Sequence, residues 1–509
     1  MNRSPSHLCH ATAVAASLII STPLIVGCSR MSPSNGGGQT SPVRLPRDLN
    51  PADIALPAGY RIEPLTAGLT YPTAATVDDQ GVLYVVEAGY SYGESFTTPR
   101  LIRVDADGST RTVAEGDNGP WTGVAFRDGA FYVAQGGVER GGAIVRITPD
   151  GKITPLVEGL PSLGDHHTNG PAVSPDGRWL YFSVGTATNS GVVGTDNFHF
   201  GWLKRHPDFH DVPAKDVTLS GQNFVTPNPF DDNAGRLITA PYHAFGTSAP
   251  AGTVVRGASP ASGTVYRIPL PARGDPTGAT TRASAPDLQL VAWGLRNPFG
   301  LAFSPDGALY VTENAYDVRG SRPIYGAGDL LWRITDGTWY GWPDFHGEYP
   351  VTWADHFQAP GKPKPTFLLA EHPNPPQRPA ARFAVHASAN GLDFARSPRF
   401  GYVGEAFVAE FGDMAPEVGK VRAPVGFKVV RVDPTTGNIQ DFAVNKGKTF
   451  GPASKLKSGG IERPMAVRFS PDGNTLYVVD FGVMTITPHG PRPEPGTGAV
   501  WRITREDEP

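Results

Sequence analysis

Histidines, arginines and amides gather at a few tight places in this chain. They are His166-His167 followed by Thr168-Asn169, the pair Arg296-Asn297, His386 with Asn390, and Arg463; Asn118 to Trp121 and Tyr71-Pro72 add an amide and two rings. Histidine is the side chain best suited to take up a proton near neutral pH. Arginine binds carboxylates or offsets developing negative charge. Gathered at one place, these types suit proton uptake beside a negatively charged group. Each also has a plain structural reading at the start of a strand, and spacing alone leaves both open. Other combinations are weaker. Lys446, Lys448, Lys455 and Lys457 read as a solvated loop, and His206 with His210 is interrupted by Pro207 and reads as a polar loop rather than a metal pair. The acidic start of residues 231–236 lacks the spacing of a calcium loop. No GxSxG, P-loop or HExxH occurs.

The elements that must position these residues come from an internal repeat. An apolar run, a tight turn and a second β-rich run recur at residues 76–87, 124–134, 172–184, 301–313, 392–410 (degenerate) and 467–480. Where the turn is Pro-Asp-Gly, proline presets φ at its first position and glycine accepts positive φ at its end, so a hairpin closes with little strain. A third run of the form apolar-x-Arg-apolar follows each hairpin, carrying Arg103, Arg146, Arg267, Arg333, Arg431 and Arg502. We read those arginines as structural, bridging neighbouring units. Both motifs count to six, which predicts an all-β, six-bladed β-propeller. The last unit lacks a fourth strand, while residues 61–69 (RIEPLTAGL) match residues 152–160 (KITPLVEGL). An N-terminal strand at about residues 60–69 is thus expected to complete the last blade and close the ring, removing exposed sheet edges.

Alternating strand direction then sorts the loops. Pro-Asp-Gly turns share one rim, here the turn rim. Connections between blades, and between second and third strands, share the other, the loop rim. The long insertions at 186–263, 314–329, 343–385 and 411–426 are expected on the loop rim, and the residues that open each first strand lie there nearest the axis. A ligand funnel is expected on that side.

Composition fits the same picture. Gly and Pro number 61 and 51 in 509 residues, charged residues are 18%, and the net charge of −4 gives no reason to expect a nucleic-acid partner. The two cysteines are Cys9 and Cys28. A basic start and an apolar stretch over residues 11–27 read as a signal peptide, residues 1–27, ending at a lipobox-like Ile25-Val26-Gly27-Cys28. Cys28 is the expected lipidation site, residues 28–53 a flexible tether, and residues 54–509 the propeller. Membrane contact is then through the lipid anchor only. This places the chain in a bacterial cell envelope, on the periplasmic side of a membrane. Ser29 gives no inner-membrane retention signal, which points to the outer membrane. No cysteine follows Cys28, so disulfides, thiolate metal sites and a CxxCH haem are excluded from the body.

The stretch GLRNPFGLAFSPDGALYVTEN (294–314) and Tyr340-Gly-Trp-Pro343 resemble the glucose/sorbosone dehydrogenase family. So do His167-Thr-Asn-Gly170, Pro175-Asp-Gly177 and Leu180-Tyr181. These are six-bladed propellers whose best-understood members are quinoproteins using pyrroloquinoline quinone (PQQ) and calcium. The resemblance implies a PQQ-dependent dehydrogenase oxidising a sugar or related alcohol or aldehyde, with electrons passed to an external acceptor. It implies His167 as general base, with His166 as rival, and cofactor contacts from Arg296, Asn297 and Arg463, to which the funnel residue Asn118 is added. Backbone carbonyls of Ala315 and Tyr316 would hold calcium.

The chain departs from the family pattern at three points. Gly185-Thr186 stands where the family has Gly-Asp, Ala315-Tyr316 where it often has Gly-Pro, and Asp329-Leu330-Leu331-Trp332 where it has Asp-Glu-x-Asn. Two alternatives remain open from the residues: a non-catalytic propeller binding a glycan or protein, and a metal-dependent lactonase-like hydrolase, which the Arg- and His-rich funnel disfavours.

Overall fold

In the computed structural model the described residues are 47–506, except 92–94, 232–234, 272–287, 416–418, 420–423 and 488–489. The signal peptide, Cys28 and the first part of the tether lie outside the described residues.

Six antiparallel sheets follow one another around a ring. Their innermost strands are Pro72–Val77, Trp121–Arg127, Thr168–Val173, Asn297–Phe303, Ala389–Phe394 and Pro464–Phe469. We number the blades 1 to 6 in that order. Each inner strand turns into a second strand whose residues are buried on both faces, such as Leu83–Glu87 and Ala130–Gln135. This explains why those runs read as continuously apolar and β-branched rather than alternating. The arginine-bearing runs form the third strands, for example Gly142–Ile147 and Lys428–Asp433.

The ring closes as the repeat required. Tyr60–Leu69 pairs antiparallel with Gly498–Arg505, with Ile62 opposite Ile503 and Pro64 opposite Trp501. Ile62 is buried in a cluster with Phe469, Trp501 and Ile503. Residues 47–53, expected to belong to the tether, instead pack on the ring. Arg47 donates to the Thr497 carbonyl (3.0 Å) and the Gly460 carbonyl, and pairs with Asp480 at 2.7 Å. Ile54–Ala55 then adds a fifth strand to blade 5.

Two devices hold neighbouring blades in register near the axis. Hydroxyls of first or second strands donate to carbonyls on the next blade's inner strand: Thr73 to Trp121 (2.7 Å), Thr122 to Thr168 (2.6 Å), Ser183 to Pro298 (2.6 Å) and Thr312 to Asn390 (2.6 Å). Gly123 also lies so close to Gly170 that any Cβ would overlap the Gly170 carbonyl. The third-strand arginines share this task only in part: Arg267 reaches Asp336, just past the third strand of blade 4 (3.2 Å), whereas others stay within their own blades. Arg502 pairs with Glu63 of its own blade (2.6 Å), and Arg431 with Glu405 of its own blade (2.7 Å). The reason is radial: inner strands of adjacent blades nearly touch, whereas third strands have splayed apart.

The insertions at 186–263, 314–329 and 411–426 stand on the loop rim; the stretch 343–385 instead joins the third and fourth strands of blade 4 and ends in that fourth strand, Ala381–Val385. The largest, between Val184 and Thr264, holds the short helices Thr195–His199 and Trp202–Arg205 and a hairpin of Phe224–Pro227 with Arg236–Thr239. No helix among the described residues is long and apolar enough to cross a membrane.

Candidate functional site

The strand openings and the insertions enclose a cavity of about 680 Å³ on the loop rim. Its floor is polar, with Asp165, His166, His167, Arg296, Asn297 and His386; its upper walls carry Tyr90, Phe200, Trp202, Phe411 and Phe481 with three methionines. A repeated backbone contact sets these openings. An acid near the end of a blade's second strand accepts the amide at the opening of its first: Glu87 from Thr70 (2.7 Å), Glu313 from Arg296, and Asp480 from Arg463 (2.9 Å). Burial pushes the Glu313 carboxyl up to about 7.

Four histidines line the cavity, and the three on its floor differ in surroundings. His167 stands edge-on to Tyr90 and Trp202, centroids 6.0 and 5.9 Å away, and burial pushes its imidazole down to about 4. His166 is turned by Thr186, with Nδ1 2.9 Å from the Thr186 carbonyl and 3.0 Å from its hydroxyl oxygen. Thr186 in turn donates its hydroxyl to Thr188 O (2.7 Å), so it accepts from Nδ1–H. The residue at the family's Asp position therefore orients a histidine, and that histidine is His166, not His167. Burial, reinforced by Arg296 and Arg319, holds His166 well below the usual histidine range.

The sequence offers His386 only as part of the funnel lining. Its Nδ1 lies 3.6 Å from Asp317 Oδ1, while its Nε2, on the cavity wall, has no hydrogen-bond partner among the described residues. The backbone is left-handed at His386 (φ 61°) and again at Ser388 (φ 54°), costly for residues with a Cβ and a mark of over-determined local structure. Burial lowers the His386 pKa and outweighs Asp317 and Asp413, so the ring is neutral at pH 7. The signal in sequence was present but weak, a histidine where a blade opens.

The expected cofactor contacts are distributed differently. Arg296 lines the cavity but is clamped from within. Its guanidinium donates to the Asn189 carbonyl (3.0 Å), the Asn189 side chain (3.0 Å), the Asn314 carbonyl (3.1 Å) and Asp317 (2.7 Å). Asn297 donates to the Asn314 side chain (2.9 Å) and accepts from Asn169 (3.3 Å). Arg463 lies outside the lining. It is fully buried, donates to the carbonyls of Gly412 and Asp413 (both 3.2 Å), and sits over the rings of Phe411 and Phe427; burial lowers its pKa to about 10. Asn118 is also outside, donating to the Gly141 carbonyl (3.1 Å). Arg463 thus shapes the Phe411 wall from behind, and Asn118 fixes a loop of blade 2. Ala315 lines the cavity, its amide held by Asp329 (2.9 Å), whereas Tyr316 points outward and donates to the Phe345 carbonyl (2.9 Å). Among the described residues no three His, Cys, Asp or Glu side chains are grouped to hold a metal ion.

Arg319 ties the roof to the floor. It contacts Asp165 (2.7 Å), Asp196 of the blade 3 insertion (2.7 Å) and Asp317 (3.0 Å). Although burial raises the Asp317 pKa, Arg296 and Arg319 hold it below the usual carboxylate range.

No family model matches the chain, and no curated protein does. Solved structures match along nearly its whole length. The holo PQQ domain of a pyranose dehydrogenase from Coprinopsis cinerea aligns at 17% identity, over 92% of this chain and all of that one, with TM-score 0.53. A Trichoderma reesei carbohydrate-active enzyme of family AA12 aligns at 14% identity, over 92% and 100%, with TM-score 0.51. The PQQ-bound aldose sugar dehydrogenase from Streptomyces coelicolor aligns at 18% identity, over 88% and 99%, with TM-score 0.47. At such identities the likeness establishes the fold. This chain is a six-bladed propeller of the shape found in sugar dehydrogenases, with a roofed cavity at one end of its axis.

Proposed function

We propose that the protein is a PQQ-dependent dehydrogenase that oxidises a sugar or related alcohol or aldehyde in the central cavity. It would be an exported lipoprotein on the periplasmic side of a membrane, passing electrons to an external acceptor. The observation that carries the reading is His386: a neutral imidazole beside a carboxylate, its other nitrogen unpartnered in a cavity walled by flat rings.

The residues present suit the cofactor in size, walls and open polar atoms. Among the described residues, Ser91 Oγ, Asp196 Oδ1 and His386 Nε2 are buried polar atoms of the lining without a protein partner, and rings of Tyr90, Trp202 and Phe411 suit a planar heterocycle. Ser91, Arg296 and Arg319 would hold it. The lining carries Asp165, Asp196, Asp317 and Asp329 against Arg296 and Arg319 only. A polyanionic quinone therefore calls for a divalent cation beside it, and calcium on the Ala315 and Tyr316 carbonyls would supply that charge. When bound, the quinone supplies a two-electron acceptor.

The chain's own groups do the rest. His386 Nε2 accepts the proton of a substrate hydroxyl, and Asp317 stabilises the resulting imidazolium. Arg296 and Arg319 fix Asp317. The aromatic walls exclude water and give the apolar face of a sugar ring a surface to stack on. His167 and His166 stay neutral and shape the floor.

The test is calorimetric binding of PQQ with and without Ca²⁺, followed by aldose-dependent dye reduction. We expect binding that requires Ca²⁺, and activity that falls about 10²–10⁴-fold in His386→Ala, the usual contribution of a general base. His167→Ala should lose less than His386→Ala. Absence of PQQ binding with Ca²⁺ present overturns the dehydrogenase reading. The excess of carboxylates favours a second reading in that case, a non-catalytic propeller binding a neutral glycan.

A further inference from the structure

We propose that the loop rim is a lipid-docking face, which sets the propeller with its cavity mouth toward an anionic phospholipid surface. The argument starts from where large apolar side chains are exposed. Among the described residues, Phe96, Val225, Phe230, Ile238, Val254 and Phe450 each expose between 46% and 58% of their surface. All six belong to loops that strand direction assigns to the loop rim: Phe96 between the second and third strands of blade 1, the next four in the blade 3 insertion, and Phe450 between blades 5 and 6. Val403 is on the turn rim, and Tyr349 and Trp353, exposed to 36% and 40%, lie in the connection between the third and fourth strands of blade 4. Scattered exposure would populate both rims alike, and a set concentrated on one marks an interaction face.

The side chains are also arranged to act together. Val225 and Ile238 are direct cross-strand partners, so they project from the same face of one hairpin. Phe230, at its tip, rests edge-on against Phe198, 5.1 Å between centroids, and Phe198 begins the segment whose His199 and Phe200 line the cavity. The hairpin thus stands over the cavity roof with its apolar face outward. Phe450 follows Lys446 and Lys448, a pairing of cation and ring that suits phosphate headgroups above acyl chains.

A lipid surface, rather than a protein, is indicated by where the rest of the chain attaches. Arg47 is clamped at the loop rim of blade 6, across the ring from the blade 3 hairpin, by Asp480 and the Thr497 carbonyl. The sequence preceding it holds the apolar residues 11–27 and Cys28. Residues 29–46, fully extended, reach roughly 60 Å. The chain therefore leaves toward its apolar segment from the same rim that carries the exposed rings.

The test is hydrogen exchange of the full chain with and without vesicles of phosphatidylglycerol and phosphatidylethanolamine. Amides of 224–239, 95–97 and 446–452 should slow on the order of tenfold with vesicles, while the turns at 305–308 and 471–474 stay unchanged. In Val225→Ser/Phe230→Ser/Ile238→Ser, whose side chains lie on the surface, the slowing at all three segments should be lost. Vesicle binding without protection on either rim means attachment by the anchor alone, and overturns the proposal. Equal protection of both rims, full protection in the triple variant, or protection already present without vesicles (residues 11–27 lying on the rim) overturns it as well.

Discussion

Replacing Arg319 by methionine removes the one group that offsets three carboxylates at once. The side chains concerned are nearly closed to solvent, 12% exposed for Arg319 and 2%, 9% and 10% for Asp165, Asp196 and Asp317. Breaking a buried pair by removing one partner costs about 3–5 kcal/mol, because the remaining charge is left buried. Arg296 still faces Asp317 at 2.7 Å, so most of that cost falls on Asp165 and Asp196. Burial, against the pull of Arg319, already raises the Asp165 carboxyl to about 6. Without the arginine it rises further, so the site takes up a proton instead of bearing the charge. The loss should therefore be largest near pH 8 and shrink to about 1–2 kcal/mol near pH 5, where protonation relieves it. Urea unfolding followed by tryptophan fluorescence at both pH values measures this, and adding Asp165→Asn to Arg319→Met should restore part of the stability at pH 8. A loss below about 1 kcal/mol at pH 8, or one that does not change with pH, would refute the reasoning.

Three further outcomes are expected. Glu313 has its folded pKa raised to about 7 from 4.5, so its favourable contribution is complete below 4.5 and is lost as pH rises through 7. Glu313→Gln should gain about 3 kcal/mol relative to the parent between pH 4.5 and pH 8, read by the same unfolding assay, and an unchanged difference would show the carboxylate is not desolvated. Ile62→Ala in the ring-closing strand should cost about 2–5 kcal/mol, while Arg61→Ala beside it, with a 57% exposed side chain, should cost under about 0.5 kcal/mol. If the two cost the same, the closing strand contributes little. Because the His386 pKa lies below 6.5, substrate turnover should stay flat through pH 7 and fall only on the acid side below that value; a limb centred above pH 7 would exclude His386 as the base.

Much of the fold was legible because it is local and repeated. A Pro-Asp-Gly turn between two β-rich runs carries its own reason for being a hairpin, and six copies fix the blade number without long-range information. The match between residues 61–69 and 152–160 located the closing strand, since a strand in the same place in every blade meets the same neighbours. Strand alternation assigned the loops to rims, and the histidines and Arg296 do meet at one cavity.

Where side chains point was not legible, because their partners lie far away along the chain. Arg463 opens blade 6 as Arg296 opens blade 4, yet it turns to the carbonyls of Gly412 and Asp413, some 50 residues earlier, and leaves the cavity. Arg296 faces the cavity but is held by Asn189, 107 residues away. Thr186, which stands where the family has Asp, orients His166. His386 gained its significance only when the 314–329 loop brought Asp317 beside it. By itself the sequence determined the ring, its closure and the rim that carries the cavity, because turns and periodicity are properties of neighbouring residues. Only the tertiary structure decided which histidine is backed by a carboxylate and which arginines are already paired, because those follow from charges brought together by loops distant in sequence.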